Sequence, residues 1–541
     1  MALSLTAKQE SIFEMFSGKN QYIIPPYQRA YSWTETQCIE LFEDLKRAFL
    51  ENKEEGYFLG NIVIAKSMED KNVLEVIDGQ QRLTTLTLFM KVLLHSDEDS
   101  DDLKNAITIP GGRRNDVKKQ RLITNVFIEK DAKFLEEALL LNLNDEICKI
   151  TKKDNQFKKN LCYLFKEIES FKKDNDLQSF IDFFLYDVSL LPIQTEDSTP
   201  EKAREKALKI FETINNRGLS LSDSDIFKAR LYSMALNNLK HEDFTQRWKE
   251  LDEECQNIKY SINEIFRFYT QVIRAKQNIK TSEIGLREFF TQKENSPFNT
   301  MKYDKILDDL FKIIEVISFI QEVITSPKEY NELTKWFQVI GLYTNQYAIN
   351  TLTVYLFSNG LKSNQKLLDF SKNLIIYLYY QGSTAKIKFT IFDLMTKIIT
   401  KKENEFEYYP NKIKDDDFKY FGMLKKGFAL LNLYIKPNQD AIYPYYFNKI
   451  INARDVKQLN STWDDQDYAE YVDTMGNLLI LDSSIKDVRI KAKASLLKES
   501  NIDDIKELSK QLPNWSYSNY LEREKNLQNR LISFFEKSNE N

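Results

Sequence analysis

The sequence is poor in the residues that most often mark a catalytic or metal centre. Of 541 residues only two are histidine, His95 and His241, so no multi-histidine metal site can be built within one chain. The four cysteines, Cys38, Cys148, Cys162 and Cys255, show no C-x-x-C spacing, which argues against a zinc ribbon and for a reducing compartment. Glycine (14) and proline (11) are scarce, which favours long helices over a turn-rich β architecture. There is no G-x-x-x-x-G-K-[ST] stretch, which excludes nucleotide use through a Walker A loop; Gly18-Lys19 stands without the rest of that motif. No apolar run approaches the roughly 18 residues of a membrane span. The start, MALSLTAKQESIFEMF, lacks the apolar core of a secretory signal. A soluble, cytoplasmic protein is expected.

What is present is globular in composition. Hydrophobic residues make up 42% and charged residues 29%, well away from the disordered range. At about 150 residues per domain the length suggests roughly three to four units. The formal net charge of −5 means that any nucleic-acid surface is a local patch and not a whole-protein field.

Residues 1–95 mix strands and helices. NQYIIPPYQRAYSW is extended and interrupted by Pro25-Pro26, since each proline pushes its predecessor out of helical space. TETQCIELFEDLKRAFL reads as an amphipathic helix with Thr34 or Thr36 as cap. YFLGNIVIA and NVLEVID are β-branched runs joined by KSMEDKN, an expected antiparallel pair. The following helix carries Leu83, Leu86, Met90 and Leu93 on one face. From about 100 to 430 the chain reads almost wholly helical, with breaks near TIPGGRRND, LPIQTEDSTPEK, KENSPFN and YYPNKIKDDD. The tail from about 435 is mixed, a helix running into a short strand.

Three stretches carry more polar chemistry than packing needs: IPPYQRAYSW (Tyr27, Gln28, Arg29, Tyr31, Trp33), IDGQQRLTT, and FETINNRGLSLSDSDIFKARL with Asn215, Asn216, Arg217 and Gly218. In the second, a strand ends at Asp78-Gly79 and a helix opens at once with Gln80, Gln81 and Arg82. Free N–H groups at a helix start, with the positive end of its dipole, attract phosphate. Gly79 permits close backbone approach, and Arg82 offers a planar fork to two phosphate oxygens. Asp78 suits a metal or a ribose hydroxyl. The plainer alternative makes Asp78 a helix cap and pairs Arg82 with a carboxylate; for the third stretch it makes Gly218 and Ser222-Asp223 a turn and a cap.

In order and spacing, the three stretches together resemble the N-terminal domain of GmrSD-type, modification-dependent (type IV) restriction proteins, over roughly residues 8–235. The resemblance implies an α+β, predominantly α-helical protein. Its parts would be a ParB/sulfiredoxin-like nucleotide-binding domain at 1–100, a helical extension completing it at 101–235, a helical middle at 236–430, and a C-terminal module at 431–541. It also implies an anti-phage protein that binds and hydrolyses NTP (GTP or ATP) and senses modified phage DNA. By that analogy Tyr27, Gln28, Arg29, Asp78, Gly79, Gln80, Gln81 and Arg82 line the nucleotide site, and Asn216 and Arg217 support it. Tyr31 and Trp33 would shape a neighbouring sensor for modified DNA.

The family usually ends in an HNH nuclease of degenerate ββα-metal type, with [DE]-H-I-x-P followed by G-N-L-x-L-L. This chain offers QDAIYPYYF at 439–447 and MGNLLILDSS at 475–484, so Asp440, Ile442, Pro444, Gly476, Asn477 and Leu478 match in order. The family's histidine falls on Ala441. That histidine deprotonates the attacking water, while a divalent metal (Mg2+ or Mn2+) held by Asp440 would stabilise the phosphorane; alanine supplies no base. Lys486 stands where the family tends to have asparagine. A nuclease silenced by a His→Ala change and a module decayed into a DNA-binding wedge both fit. Arg489, Lys491 and Lys493 in IKDVRIKAKASLLK would contact a polyanion without reading bases. The rival function is a nucleotide-gated DNA-binding or regulatory subunit without nuclease activity. The helical middle leaves room for a homo-oligomer interface or a defence-system partner.

Overall fold

β-Branched residues at alternating positions make strands, and in the N-terminal part they assemble around one sheet. The computed structural model describes the chain except residues 1–4, 52, 68–71, 111–118, 127–128, 200–201, 205, 208–209, 211–221, 237–239, 282–283, 292–295, 381–383, 402–405, 407–423, 460–462, 464, 486–487 and 538–541. It divides into two compact units, Met1–Glu250 with Phe290–Lys305, and Leu251–Phe289 with Ile306–Asn541. The fold class is α+β and predominantly helical. Among the described residues no helix is long and apolar enough to cross a membrane.

The N-terminal unit holds a seven-stranded mixed sheet. Its strands are β1 (Leu5–Ala7), β2 (Glu10–Ser11), β3 (Gln21–Ile24), β4 (Tyr57–Ser67), β5 (Val73–Asp78), β8 (Leu122–Thr124) and β9 (Val188–Asp197); β6 (Thr108–Ile109) and β7 (Lys119–Gln120) form a separate pair. The order is β1-β9-β4-β5-β3-β8, with β2 also on β9. As expected from their sequences, β4 and β5 pair antiparallel. Among the helices that accompany the sheet are α1 (Ile12–Met15), α2 (Glu35–Glu51), α3 (Gln80–Ser96), α4 (Asp101–Ile107), α5 (Glu129–Leu140), α6 (Gln156–Phe171) and α7 (Leu177–Asp182). α1 is set by a capping box in which Ser11 and Glu14 bond each other's backbone, satisfying two orphan donors at once.

The stretch after residue 100 is less helical than its sequence suggests. It supplies β8 and β9, and β9 lies between β4 and β1 inside the sheet. Pro192 made VSLLPIQTED read as a break, because proline cannot donate to a ladder. The register explains the tolerance. On one side β2 pairs Ser189 and Leu190 and β1 pairs Ile193 to Thr195, so Pro192 falls in the gap between the two short strands, while on the other it stands in register with Ile62 of β4.

The core lies between the sheet and α2, α3 and α6. Tyr22, Ile24, Ile62, Ile64, Leu74 and Val76 from the strands meet Phe42, Leu45, Leu83, Leu86, Phe89, Leu93, Leu161 and Phe165 from the helices. Phe42 packs edge-on against Phe89, Phe171 and Phe180, the orientation the aromatic quadrupole favours. α3 is buried on nearly every face, its polar Thr85 and Thr87 satisfied by Gln81 and Leu83 carbonyls. It is a central helix, and it fixes the position of its own first turn.

The second unit is built from long helices. Ile262–Lys276 packs on Thr384–Thr400, which also meets Tyr347–Asn359; Pro327–Gly341 packs on Gln365–Tyr380 and Lys425–Tyr434. The last two of these approach so closely at Gly427 that an added Cβ would lie 2.1 Å from the Tyr379 hydroxyl, itself bonded to the Val339 carbonyl. The tail then forms a two-stranded antiparallel sheet, β10 (Tyr446–Lys449) with β11 (Leu478–Leu481). It is followed by helices Ile490–Leu497, Asp503–Gln511 and Tyr517–Lys537.

Candidate functional site

The first two polar stretches, separate in sequence, form one assembly. Residues 25–34 run as a loop over the start of α3, and Gln81 holds them there. Its Oε1 accepts from Ser32 N (2.8 Å) and Trp33 N (3.2 Å), and its Nε2 donates to the Ala30 carbonyl (2.9 Å). Gln28 donates to the Ile77 carbonyl of β5 (2.8 Å). Tyr31 shares a hydrogen bond with Thr85 on α3 (2.7 Å), accepts one from Asn160 on α6 (2.8 Å), and packs its ring on Phe157. The same Asn160 amide donates to the Trp33 carbonyl (2.7 Å), and Asp131 on α5 accepts from Tyr31 N (3.2 Å). Gln81, Gln28 and Tyr31 are thus braces of the loop.

What the loop leaves facing the helix start is charged. Gly79, at φ +91°, is the N-cap of α3, so Asp78 is not the cap that the plainer alternative would make it. A Cβ at Gly79 would fall 2.5 Å from Ile62 Cγ2; only glycine fits both the left-handed backbone and the close strand. Asp78, the last residue of β5, is largely buried, and burial pushes its carboxyl above the usual range; the Gly79 N–H, Arg82 and Arg29 pull the other way. The Asp78 carboxylate therefore feels both arginines together. Burial lowers the Arg82 guanidinium from its usual value, opposed by Asp78. Arg82 also donates through Nη1 to the Asn61 carbonyl (2.9 Å) and lies against Gly60, where the β4–β9 register shifts between Phe58 and Asn61. It braces a bulge of the kind found beside functional sites. Arg29 is exposed and Gln80 is buried.

Behind this lies a buried pair that the sequence did not announce. Arg204 donates through Nε to Glu75 on β5 (2.7 Å) and makes a second bond through Nη2. Its guanidinium lies 5.9 Å from the ring centres of both Tyr27 and Tyr232. Tyr27 is fully buried there, so it forms wall behind the site and not its surface. The only sequence hint of these partners was the polarity of Glu75 inside an apolar strand; Asn160 and Asp131 have no local signal at all. Asn216 and Arg217 lie outside the described residues.

The tail places its nominated residues differently. Asn477 is buried: its Oδ1 accepts from Ile451 N (2.9 Å), and its Nδ2 donates to the carbonyls of Ile451 (3.2 Å) and Val472 (3.1 Å). Lys493, on the helix after β11, is also buried; it donates to the Lys449 and Ile450 carbonyls (2.8 and 3.0 Å) and pairs with Asp455 at 3.7 Å. It is not available to a polyanion, whereas Arg489 and Lys491 are exposed. Asp440 accepts from Asn331 Nδ2 (2.7 Å), whose Oδ1 in turn accepts from Ala441 N (2.8 Å); Ala441 is buried. Among the described residues no three His, Cys, Asp or Glu side chains gather as a cation site. With Asn477 engaged by the backbone and Ala441 offering no side-chain ligand atom, these residues do not fit a divalent metal. Lys486 lies outside the described residues.

A sheet that ends at an αL glycine, a helix opening on Gln-Gln-Arg and an aromatic loop folded over it define the class: residues 12–232 match the family of the GmrSD restriction endonuclease, N-terminal domain. Over those residues the chain is similar to the N-terminal domain of a restriction endonuclease. No curated protein sequence matches it.

Proposed function

We propose that the N-terminal unit binds and hydrolyses a nucleoside triphosphate, GTP or ATP, at the start of α3, and that this gates the response of the chain to DNA, modified phage DNA in particular. One observation carries the reading: Asp78, Arg82 and Arg29 converge at a helix N-terminus whose cap is a glycine with no side chain to occupy it. Such a start offers backbone N–H groups and positive dipole to a phosphate. The exposed Arg29 closes on the outer side. Asp78 is the group to meet a ribose hydroxyl or the magnesium that accompanies a triphosphate.

The tail derives, in this reading, from an HNH nuclease. The antiparallel pair β10–β11 followed by a helix supports that origin. With Ala441 in place of the base and Asn477 engaged by the backbone, the module acts in DNA binding and not in strand cleavage. This second reading, a nucleotide-gated DNA-binding subunit, is favoured by the three hydrogen bonds of Asn477.

NTP turnover by the full chain tests the first part. Arg29→Ala removes an exposed cation and should weaken NTP binding by about 1.5–3 kcal/mol, the worth of a charge-assisted hydrogen bond. Asp78→Asn should lower turnover by about 10²-fold or more. Equal binding and turnover in both variants and the parent would place the nucleotide elsewhere.

A further inference from the structure

A cavity of about 200 Å³ opens in the C-terminal unit, away from β10 and Asp440, and three cations line it: Lys436, Arg523 and Arg530. Arg523 and Arg530 are seven residues, about two turns, apart on the Tyr517–Lys537 helix and so share a face. Arg523 is held by its Nε and Nη2 on the Gly476 and Leu478 carbonyls (3.1 and 3.2 Å), and Arg530 by Nη1 on the Asn432 carbonyl (3.4 Å). Neither has a carboxylate ion-pair partner among the described residues. The acids of the same wall are accounted for: Asp504 pairs with Lys436, Glu507 with Lys510 (2.6 Å), and Glu522 is exposed.

Crowding has an electrostatic signature. The Lys436 ammonium is pushed down to about 8, first by burial and then by Arg530 and Arg523. Burial brings the Arg523 guanidinium down to about 10, opposed by the neighbouring Glu524 and helped by Arg530. Holding like charges together in a partly dry site is unfavourable unless a counter-charge enters. One orphan donor belongs to the same place: the buried Trp515 lines the cavity, and its indole N–H has no acceptor among the described residues.

We propose that this cavity is a phosphate site, with Arg523 and Arg530 as the planar donors beside the Lys436–Asp504 pair. Two guanidinium forks suit the paired oxygens of a phosphate monoester. The volume admits a free phosphate or the phosphate end of a short DNA strand, and the chemistry is the same for both. The site is independent of the nucleotide reading, because no residue of the N-terminal unit takes part.

Calorimetric titration of the full chain in a phosphate-free buffer tests it, with three probes: inorganic phosphate, a 5′-phosphorylated dinucleotide and the same dinucleotide with a 5′-hydroxyl. Phosphate should bind the parent and the Arg29→Ala variant alike, and should bind Arg530→Gln at least tenfold more weakly. Bound phosphate should also raise the midpoint of unfolding, by mass action on the folded state. Tighter binding of the phosphorylated dinucleotide than of phosphate identifies a strand end as the source; equal or weaker binding identifies the free ion. If Arg530→Gln fails to fold, Arg530→Lys, which keeps the charge and loses the planar fork, decides by the same tenfold criterion. No binding to the parent at millimolar phosphate, equal affinity in the decisive folded variant, or loss in Arg29→Ala overturns the proposal.

Discussion

The start of α3 and the β10–β11 tail were nominated by the same reasoning, polar residues in a family-like order, yet the fold treats them in opposite ways. At the start of α3 the glutamines take the structural work: Gln81 and Gln28 pin the aromatic loop, and Arg29 and Asp78 are left beside an uncapped helix end. In the tail the key polar residues are themselves the structural work. Asn477 ties the end of β10 to the start of β11, and Lys493 plugs the carbonyls beneath the sheet. A polar motif marks a site only where some of its hydrogen-bonding capacity remains unused. By that criterion the first motif keeps hydrogen-bonding capacity for a ligand, and the second is a scaffold.

The largest expected effect sharpens the tail's side of the comparison. Lys493→Ala leaves the buried Asp455 without its cation and frees two buried carbonyls. Breaking a buried pair from one side typically costs about 3–5 kcal/mol, so chemical denaturation should show the C-terminal unit greatly weakened. Lys491→Ala, two residues away and exposed, should change stability by no more than about 0.5 kcal/mol. Equal effects for the two lysines would return Lys493 to the surface.

Next in size is Gln81→Ala. It strands the Ser32 and Trp33 amides and the Ala30 carbonyl, which are half-buried or exposed, so the cost should lie at the low end of the buried-group range, about 1 kcal/mol. The loop carrying Arg29 should loosen, so hydrogen exchange across residues 28–34 should quicken and NTP affinity should fall with it. Loss of NTP affinity with no change in exchange would make Gln81 a ligand contact and break the division of labour drawn above.

Much of this was legible in the sequence, and for a physical reason. The β-branched runs and the Gly-initiated helix are local signals, and the local chain decides them. β9 was not legible because its proline is tolerated only by the gap between β1 and β2, a fact of pairing that no window of sequence contains. The same holds for Asn160, Asp131 and Arg204, each bonded to a partner 100 or more residues away in the chain. Polarity told where chemistry was possible; it could not tell which polar atoms the backbone would claim.

Asp78→Asn separates function from stability. Burial raises the Asp78 carboxyl pKa in the folded chain, so the folded state binds that proton more tightly than the unfolded one. Ionised Asp78 therefore costs stability once the pH rises above about 3.8, and the cost grows until the pH passes its folded value. Asparagine carries no such cost. At neutral pH the variant should melt at the same temperature or higher while its turnover falls, and the gap in melting temperature should close as the pH drops below about 4. A variant less stable than the parent at neutral pH would mean that Arg29 and Arg82 pair with Asp78 strongly enough to outweigh its burial.

The smallest effect concerns what the tail still offers DNA. If Lys493 and Asn477 are scaffold, the polyanion contact falls to exposed cations such as Arg489 and Lys491. Each phosphate neutralised by one of them releases counterions, and the logarithm of affinity falls with the logarithm of salt by about 0.9 per contact. Arg489→Ala with Lys491→Ala should therefore flatten the salt dependence of DNA binding by up to about two, equally for modified and unmodified duplexes, because backbone contacts carry no sequence information. Fluorescence anisotropy at several salt concentrations measures both the slope and the ratio between duplexes. An unchanged slope would remove these two residues from the interface. A changed ratio would mean that the tail reads the modification itself, and the sensor would then belong to the scaffold side of the comparison, with the nucleotide site left to gate it.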